Sequence, residues 1–458
     1  VGELASVSEW KGGSTPRAQR DVTGAGITFI DPGGLPRYAD RNIDPPSSAP
    51  DRRRIVEDME TMDRFDELFD SFAAGRISRR RLVQGAAALG VSGAALQALS
   101  HGNILLAQPE ENRIRWVSPR GRLEVFDDYG YWVAKRYGYF GDVETVIEGG
   151  PAAGAERLVA ENQADMAYPS PGLFTSNLEA EVPIVSVFEM GAYDVFDIAF
   201  RKGEATDDLK TLEGKTIVIG DASWQAIVDP MLQAAGADPS KVEYAIAGVT
   251  AWGQALQQGQ GDAALAWAGL RAQWRSEGLD FEYWLGKENS KFPANSYVIR
   301  QSDFENESTH EIYEKYLRGW AMGLEFGHHN PRAAAQITNE VEQLRATLDQ
   351  SFPGEKKADA VASMWELADV YRGDWPTREG WGWHDLEAWN LYFDTAREIG
   401  LLTREFATED VVKNDFIAAA NDFDHEQVKA DAEAFELSEE YAAIPEPEGA
   451  GAEGAYPI

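Results

Sequence analysis

Leu209-Lys210-Thr211-Leu212-Glu213-Gly214-Lys215-Thr216-Ile217-Val218-Ile219-Gly220 is the stretch on which the fold turns. Gly214 suits a tight turn, because glycine reaches positive φ without a steric penalty. Thr216 to Ile219 is a short apolar run rich in β-branched residues and closed by Gly220, the pattern of a strand buried on both faces. A helical segment at 225–235 follows, then strands at 242–246, 263–267 and 281–284. Strands alternating with helices predict parallel sheets covered on both sides.

The same alternation runs upstream. Strands are expected at 113–117, 144–147, 166–168, 184–188 and 198–200, with helices at 128–137 and 155–161. Downstream, 309–420 is nearly all helical, and 436–458 is acidic with Pro, Gly and Ala, which predicts a disordered tail. The Gly214 turn therefore opens a second α/β lobe. The expected organisation is lobe one with C-terminal helices from 108–200 and 292–435, and lobe two from 201–291. No internal repeat is evident in the sequence.

Ser78-Arg79-Arg80-Arg81-Leu82-Val83-Gln84 opens a weakly apolar, Ala- and Gly-rich run that ends near Leu99. A cationic segment before a short apolar core is the form of an export signal, and paired arginines point to the twin-arginine (Tat) route. The expected signal region is 59–107, with Met59 or Met62 as the start of translation, Ala107 as a weak cleavage site, and 1–58 as an upstream or disordered segment. The working protein is then exported to the periplasm or the outer face of the membrane.

The chain of 458 residues carries 77 acidic and 42 basic residues, a net charge of −35, with arginine supplying most of the positive charge. Self-repulsion of that size destabilises a compact state in dilute buffer. At 1 M salt the Debye length is ~3 Å and much of the penalty disappears, so the composition predicts a salt-loving protein. Nucleic acid and anionic membrane surfaces need a basic face and are not expected partners. Cysteine is absent, which excludes disulfides, thiolate metal sites, thiol catalysis and a lipidated cysteine anchor.

Several segments carry a resemblance. Tyr131-Trp132-Val133-Ala134-Lys135-Arg136-Tyr137-Gly138-Tyr139-Phe140 resembles the "AKxxGYF" helix end of solute-binding proteins of ABC importers, in the branch serving nitrate, sulfonate, taurine and thiamine-pyrimidine precursors. Glu161 to Met166, Leu209 to Ile219, Gly259 to Ala263, Arg318 to Ala321, Asn330 to Ala334 and Gly382 to Leu401 resemble later family segments in the family's order. The resemblance implies a two-lobed, type II periplasmic binding-protein fold with two crossover segments as hinge and a helical C-terminal extension. A monomer is expected, and the residues offer no catalytic constellation, cofactor site or metal site. Its partners would be a small-molecule ligand, the ABC permease with its ATPase, and the Tat machinery. The acidic-aromatic insert at 121–128 departs from the family pattern and leaves the substrate open. The family also has a pyrimidine-synthase enzyme branch with a Cys-rich motif, which this cysteine-free chain lacks.

Ligands of open α/β sheets sit beyond the carboxyl ends of the strands. In lobe one this selects Ser118, Pro119, Arg120, Phe126, Asp127, Asp128, Tyr129 and Trp132, then Gly149 and Gly150, then Tyr168, Pro169, Ser170 and Gly172, then Glu189 and Met190. In lobe two it selects Asp221, Ser223 as a helix cap, Trp224, Gln225, Gly248, Trp252, Trp267 and Arg271. Rings at strand ends grip flat heterocycles by stacking and hold cations over their faces. Asp127 and Asp128 can meet a cationic group or can cap a helix. Arg120 and Arg271 can clamp an anion or pair on the surface. Trp132 sits within a helix and reads as core. Trp375, Trp381, Trp383 and Trp389 read as packing between the C-terminal helices and lobe one. His328-His329 do not share a helix face and read as a helix C-terminus rather than a metal site. The aromatic count favours a heterocyclic, thiamine-pyrimidine-like ligand; a sulfonate, taurine, nitrate or similar anion is the alternative.

Overall fold

The computed structural model describes residues 112–118, 127–149, 154–340, 357–373 and 378–445. The expected signal region and the segment before it, Arg120, Phe126, Gly150 and Trp375 lie outside these residues.

Two five-stranded sheets form the body of the protein. The first contains β1 (Arg113–Ser118), β2 (Glu144–Gly149), β3 (Met166–Ala167), β4 (Ile184–Glu189) and β10 (Ser296–Arg300), in the order β2-β1-β3-β10-β4. The second contains β5 (Phe196–Arg201), β6 (Thr216–Ile219), β7 (Glu243–Ile246), β8 (Ala263–Trp267) and β9 (Phe281–Leu285), in the order β7-β6-β8-β5-β9. In each sheet the first three strands in space are parallel and the fourth runs antiparallel to its neighbours. That fourth strand is the one the chain forms on arriving from the other sheet. The two lobes thus share one topology, although no repeat is visible in the sequence.

The sequence alone places the strand at 198–200 in lobe one. It is part of β5, whose register with β8 and β9 puts it in the second sheet, so the crossover lies ahead of Phe196. The chain passes between lobes at 190–195 and again at 290–295. This is the two-lobed type II architecture with its double hinge.

Helices α1 (Tyr129–Tyr137), α2 (Ala155–Ala160) and α3 (Pro171–Glu179) accompany the first sheet. Helices α4 (Gln225–Ala234), α5 (Trp252–Gln257) and α6 (Ala268–Ser276) accompany the second. The C-terminal part adds α7 (Glu307–His329), α8 (Pro331–Asn339), α9 (Lys357–Arg372), α10 (Leu386–Glu398) and α11 (His425–Glu433). Trp116, Tyr131, Tyr297 and Trp320 build an aromatic core in lobe one, with Trp116 and Trp320 meeting edge to face at 5.6 Å. Trp132 is buried there too.

The C-terminal segments also cover the exposed edge of β4. Gly382 and Val412 form single bridges to Glu189 and Ser186, satisfying backbone groups that an open edge would present to other chains. The expected disordered tail differs from the structure at its beginning. Glu439–Ala442 forms one helical turn, and Tyr441 is buried with its hydroxyl accepting from Asn339.

Candidate functional site

A cavity of about 60 Å³ lies between the two lobes. Lobe one supplies Asp127, Tyr168, Ser170 and Leu173 to its lining, and the second crossover supplies Asn295. The first crossover and lobe two supply Val195, Phe196, Trp224, Ile227, Leu265, Trp267, Ala268 and Gly269, and α9 adds Leu367 and Tyr371. Asp127 is the one formally charged side chain among these lining residues.

Local chemistry sets each wall. Ser170 accepts a hydrogen bond from Leu173 N at 3.2 Å and Pro171 occupies the first helical position, so α3 starts at the cavity wall. Trp224 ends a single 3-10 turn. The cap of that turn is Asp221, which accepts from Ser223 N at 2.9 Å and Ser223 Oγ at 2.6 Å. Ser223 is thus capped rather than capping, because its N–H and its hydroxyl both donate to the preceding carboxylate. Trp267 is the last residue of β8 and precedes α6. Trp252 stacks on Trp267 at 5.6 Å and donates its indole N–H to Leu265 O at 2.8 Å. It is buried behind the wall and does not line the cavity. Trp224 meets both rings edge-on, so three tryptophans brace one another.

The lobes touch at two glycines. A methyl group at Gly269 would overlap Oδ1 of Asp127, and one at Gly172 would overlap the carbonyl of Ala226. Only a residue without Cβ permits these close approaches between the lobes.

Other expected site residues stand elsewhere. Arg271 is buried and pairs with Asp197 at 3.6 Å and Glu366 at 3.5 Å. It is neither an anion clamp in the cavity nor a surface pair. Tyr129 is buried and donates to Leu324 O at 3.2 Å. Asp128 occupies the backbone N-cap position of α1 without a side-chain cap bond. Ser118 and Gly149 end β1 and β2. Glu189 faces a different cavity, of about 410 Å³, beside the crossovers. There Glu189 and Asp194 are buried, and desolvation pushes their carboxyls up to about 8 and about 7. His328 and His329 share a third cavity of about 310 Å³ with Glu325, Arg372, Trp381 and His425. Burial pushes the His328 imidazole down to about 3, so it is neutral. No group of three metal-ligating side chains with suitable geometry occurs among the described residues.

Phe196, Leu265, Leu367 and Tyr371 were not anticipated. Phe196 begins β5 just past the first crossover, which the sequence alone places farther along the chain. Leu367 and Tyr371 lie on a helix far along the chain, and nothing local marks them as cavity residues.

A two-lobed type II fold with a cavity between its lobes defines the class. Residues 126–334 match the family model described as NMT1/THI5 like, so this segment is an NMT1/THI5-like domain. Among solved structures, the ligand-binding component of an ABC-type import system from Staphylococcus aureus, with zinc bound, aligns at 11% identity with a TM-score of 0.49, covering 68% of this chain and 99% of that one. The alkanesulfonate-binding protein SsuA from Xanthomonas axonopodis pv. citri, bound to MOPS, aligns at 13% identity with a TM-score of 0.45, covering 68% and 100%. The desulfurization enzyme DSZB aligns at 10% identity with a TM-score of 0.45, covering 68% and 99%. No curated protein matches the sequence.

Proposed function

We propose that this protein is the extracytoplasmic solute receptor of an ABC importer. It captures a small organic molecule between its lobes and delivers it unchanged to the permease and its ATPase. Export by the Tat route and action as a monomer complete the reading. The NMT1/THI5-like domain and the interlobe cavity support the receptor role.

The ligand is a ring-bearing organic molecule, thiamine-pyrimidine-like, with a donor or cationic nitrogen directed at Asp127. The observation that carries this is the chemistry of the lining. Tyr168, Phe196, Trp224, Trp267 and Tyr371 surround the cavity, with the Asp127 carboxylate beside them. A bare oxyanion needs donors and guanidinium forks, and Arg271 is engaged by Asp197 and Glu366. At about 60 Å³ the cavity is smaller than the roughly 150 Å³ that admits benzene. The lobes must part before a ring can enter.

Mass spectrometry of small molecules extracted from the purified protein tests the receptor role. A compound recovered unchanged supports it, and turnover products would replace it with an enzymatic reading. Thermal-shift screening in molar salt tests the ligand class, since a ligand at 100 times its Kd adds ~2.7 kcal/mol. A shift by sulfonates, taurine or nitrate alone would overturn the ring assignment.

A further inference from the structure

Helix α9 lies beyond the NMT1/THI5-like segment, which ends at residue 334, yet it touches both lobes. Toward lobe two it presents a row of carboxylates. Asp359 stands 3.5 Å from Arg275 Nε, Glu366 stands 3.5 Å from Arg271 Nε, and Asp369 stands 2.6 Å from Lys287 Nζ. Ser363 also donates to the carbonyl of Gly269 at 3.2 Å. Toward lobe one, Tyr371 stacks on Tyr129 at 6.0 Å and donates its hydroxyl to the carbonyl of Asp127 at 3.2 Å. The helix packs on α7 and α8 of the same side, and its Val370 carbonyl accepts from Ala192 N in the first crossover at 3.0 Å. Between these two sets of ties, Leu367 and Tyr371 form part of the cavity lining.

We propose that α9 is a strap across the cleft: it forms a third wall of the ligand site and holds the two lobes together until solute binding displaces it. This rests on the receptor reading above. The geometry gives the reason. A hinge at 190–195 and 290–295 leaves two lobes free to rotate, but a helix fastened to both must give way on one side first. The cavity is too small for a ring while both sets of ties are in place. The latch residue Tyr371 bonds the backbone of Asp127, a residue that lines the cavity. Occupancy of the cavity and attachment of the strap therefore compete for the same few ångströms.

The absence of native cysteine permits site-specific labelling for the test. Spin labels go on cysteines introduced at Gln163 in lobe one and Gln258 in lobe two, both exposed. Double electron–electron resonance is recorded on the full chain without added solute. The parent is expected to give one narrow distance distribution. Asp359→Asn, Asp369→Asn and Tyr371→Phe, singly and combined, are expected to add a longer-distance population that grows with each lost tie. A parent that is already broad and open, or variants with the parent's distribution, would overturn the strap. Tyr371→Phe keeps the buried ring and removes only the hydroxyl, and near-UV circular dichroism checks that each variant retains native packing. Because no solute is added, a negative result here leaves the receptor role to the extraction experiment.

Discussion

Trp389 donates its indole N–H to Oε2 of Glu189 at 2.9 Å, while Ala294 N donates to Oε1 at 3.0 Å. Glu189 ends β4 where the first crossover begins, and Ala294 belongs to the second crossover. One buried carboxyl therefore joins both hinge segments to helix α10. Trp389→Phe removes one donor and leaves a buried acceptor unsatisfied, at a cost of ~1–3 kcal/mol. Urea denaturation in molar salt should show that loss. A change within experimental error would mean that the contact is energetically idle.

Glu189 and Asp194 make stability fall as pH rises. Desolvation raises their native carboxyls to about 8 and about 7, whereas in the unfolded chain they ionise near ~4. Below ~4 both states hold these protons. Between ~4 and the native values the unfolded chain releases protons that the native state keeps, so unfolding is favoured by up to ~1.4 kcal/mol per pH unit per group. Glu189→Gln should flatten the slope of stability against pH between 5 and 8. An unchanged slope would show that Glu189 does not stay protonated in the native state.

Gly269→Ala places a methyl group where Oδ1 of Asp127 lies. The carboxylate must rotate or the lobes must separate, and overpacking of this kind costs ~1–3 kcal/mol. Small-angle scattering should report a larger radius of gyration for the variant. Identical scattering would indicate that Asp127 simply moves aside.

Trp267→Ala should weaken binding of the extracted ligand at least ~10-fold, equivalent to ~1.4 kcal/mol, by removing a ring from the cavity wall. Asp127→Asn should weaken a ligand with a cationic nitrogen more than a neutral ring of the same size. Calorimetric titration against both ligand types decides this. Equal effects on the two would remove Asp127 from charge recognition.

Raising salt from 0.1 to 1 M should raise the melting temperature, because screening reduces repulsion in a chain of net charge −35. A melting temperature that falls or stays level would count against the salt-adapted reading of the composition.

How far the site was legible depends on how local its determinants are. Tyr168, Ser170, Trp224 and Trp267 sit at strand ends or helix starts, where a short stretch of sequence already fixes direction, and all four line the cavity. Trp252 has the same sequence signature but turns inward, because Leu265 O lies within reach of its indole N–H. Arg271 also reads as a site residue. Its fate depends on Asp197 and Glu366, neither of them near it in sequence. Tyr371 carries no local signal, since it meets Asp127 across 244 positions of chain.

The sequence by itself determined that strands alternate with helices, that a buried strand follows the Gly214 turn, and that aromatic residues gather at strand ends. Those features follow from side-chain periodicity and backbone sterics over a few residues. Only the tertiary structure decided where the chain crosses between lobes, which aromatic rings face the cavity, and that a C-terminal helix spans the cleft. Burial, ion pairing and close packing are settled by residues far apart in sequence, and they take effect only once the lobes have formed and met.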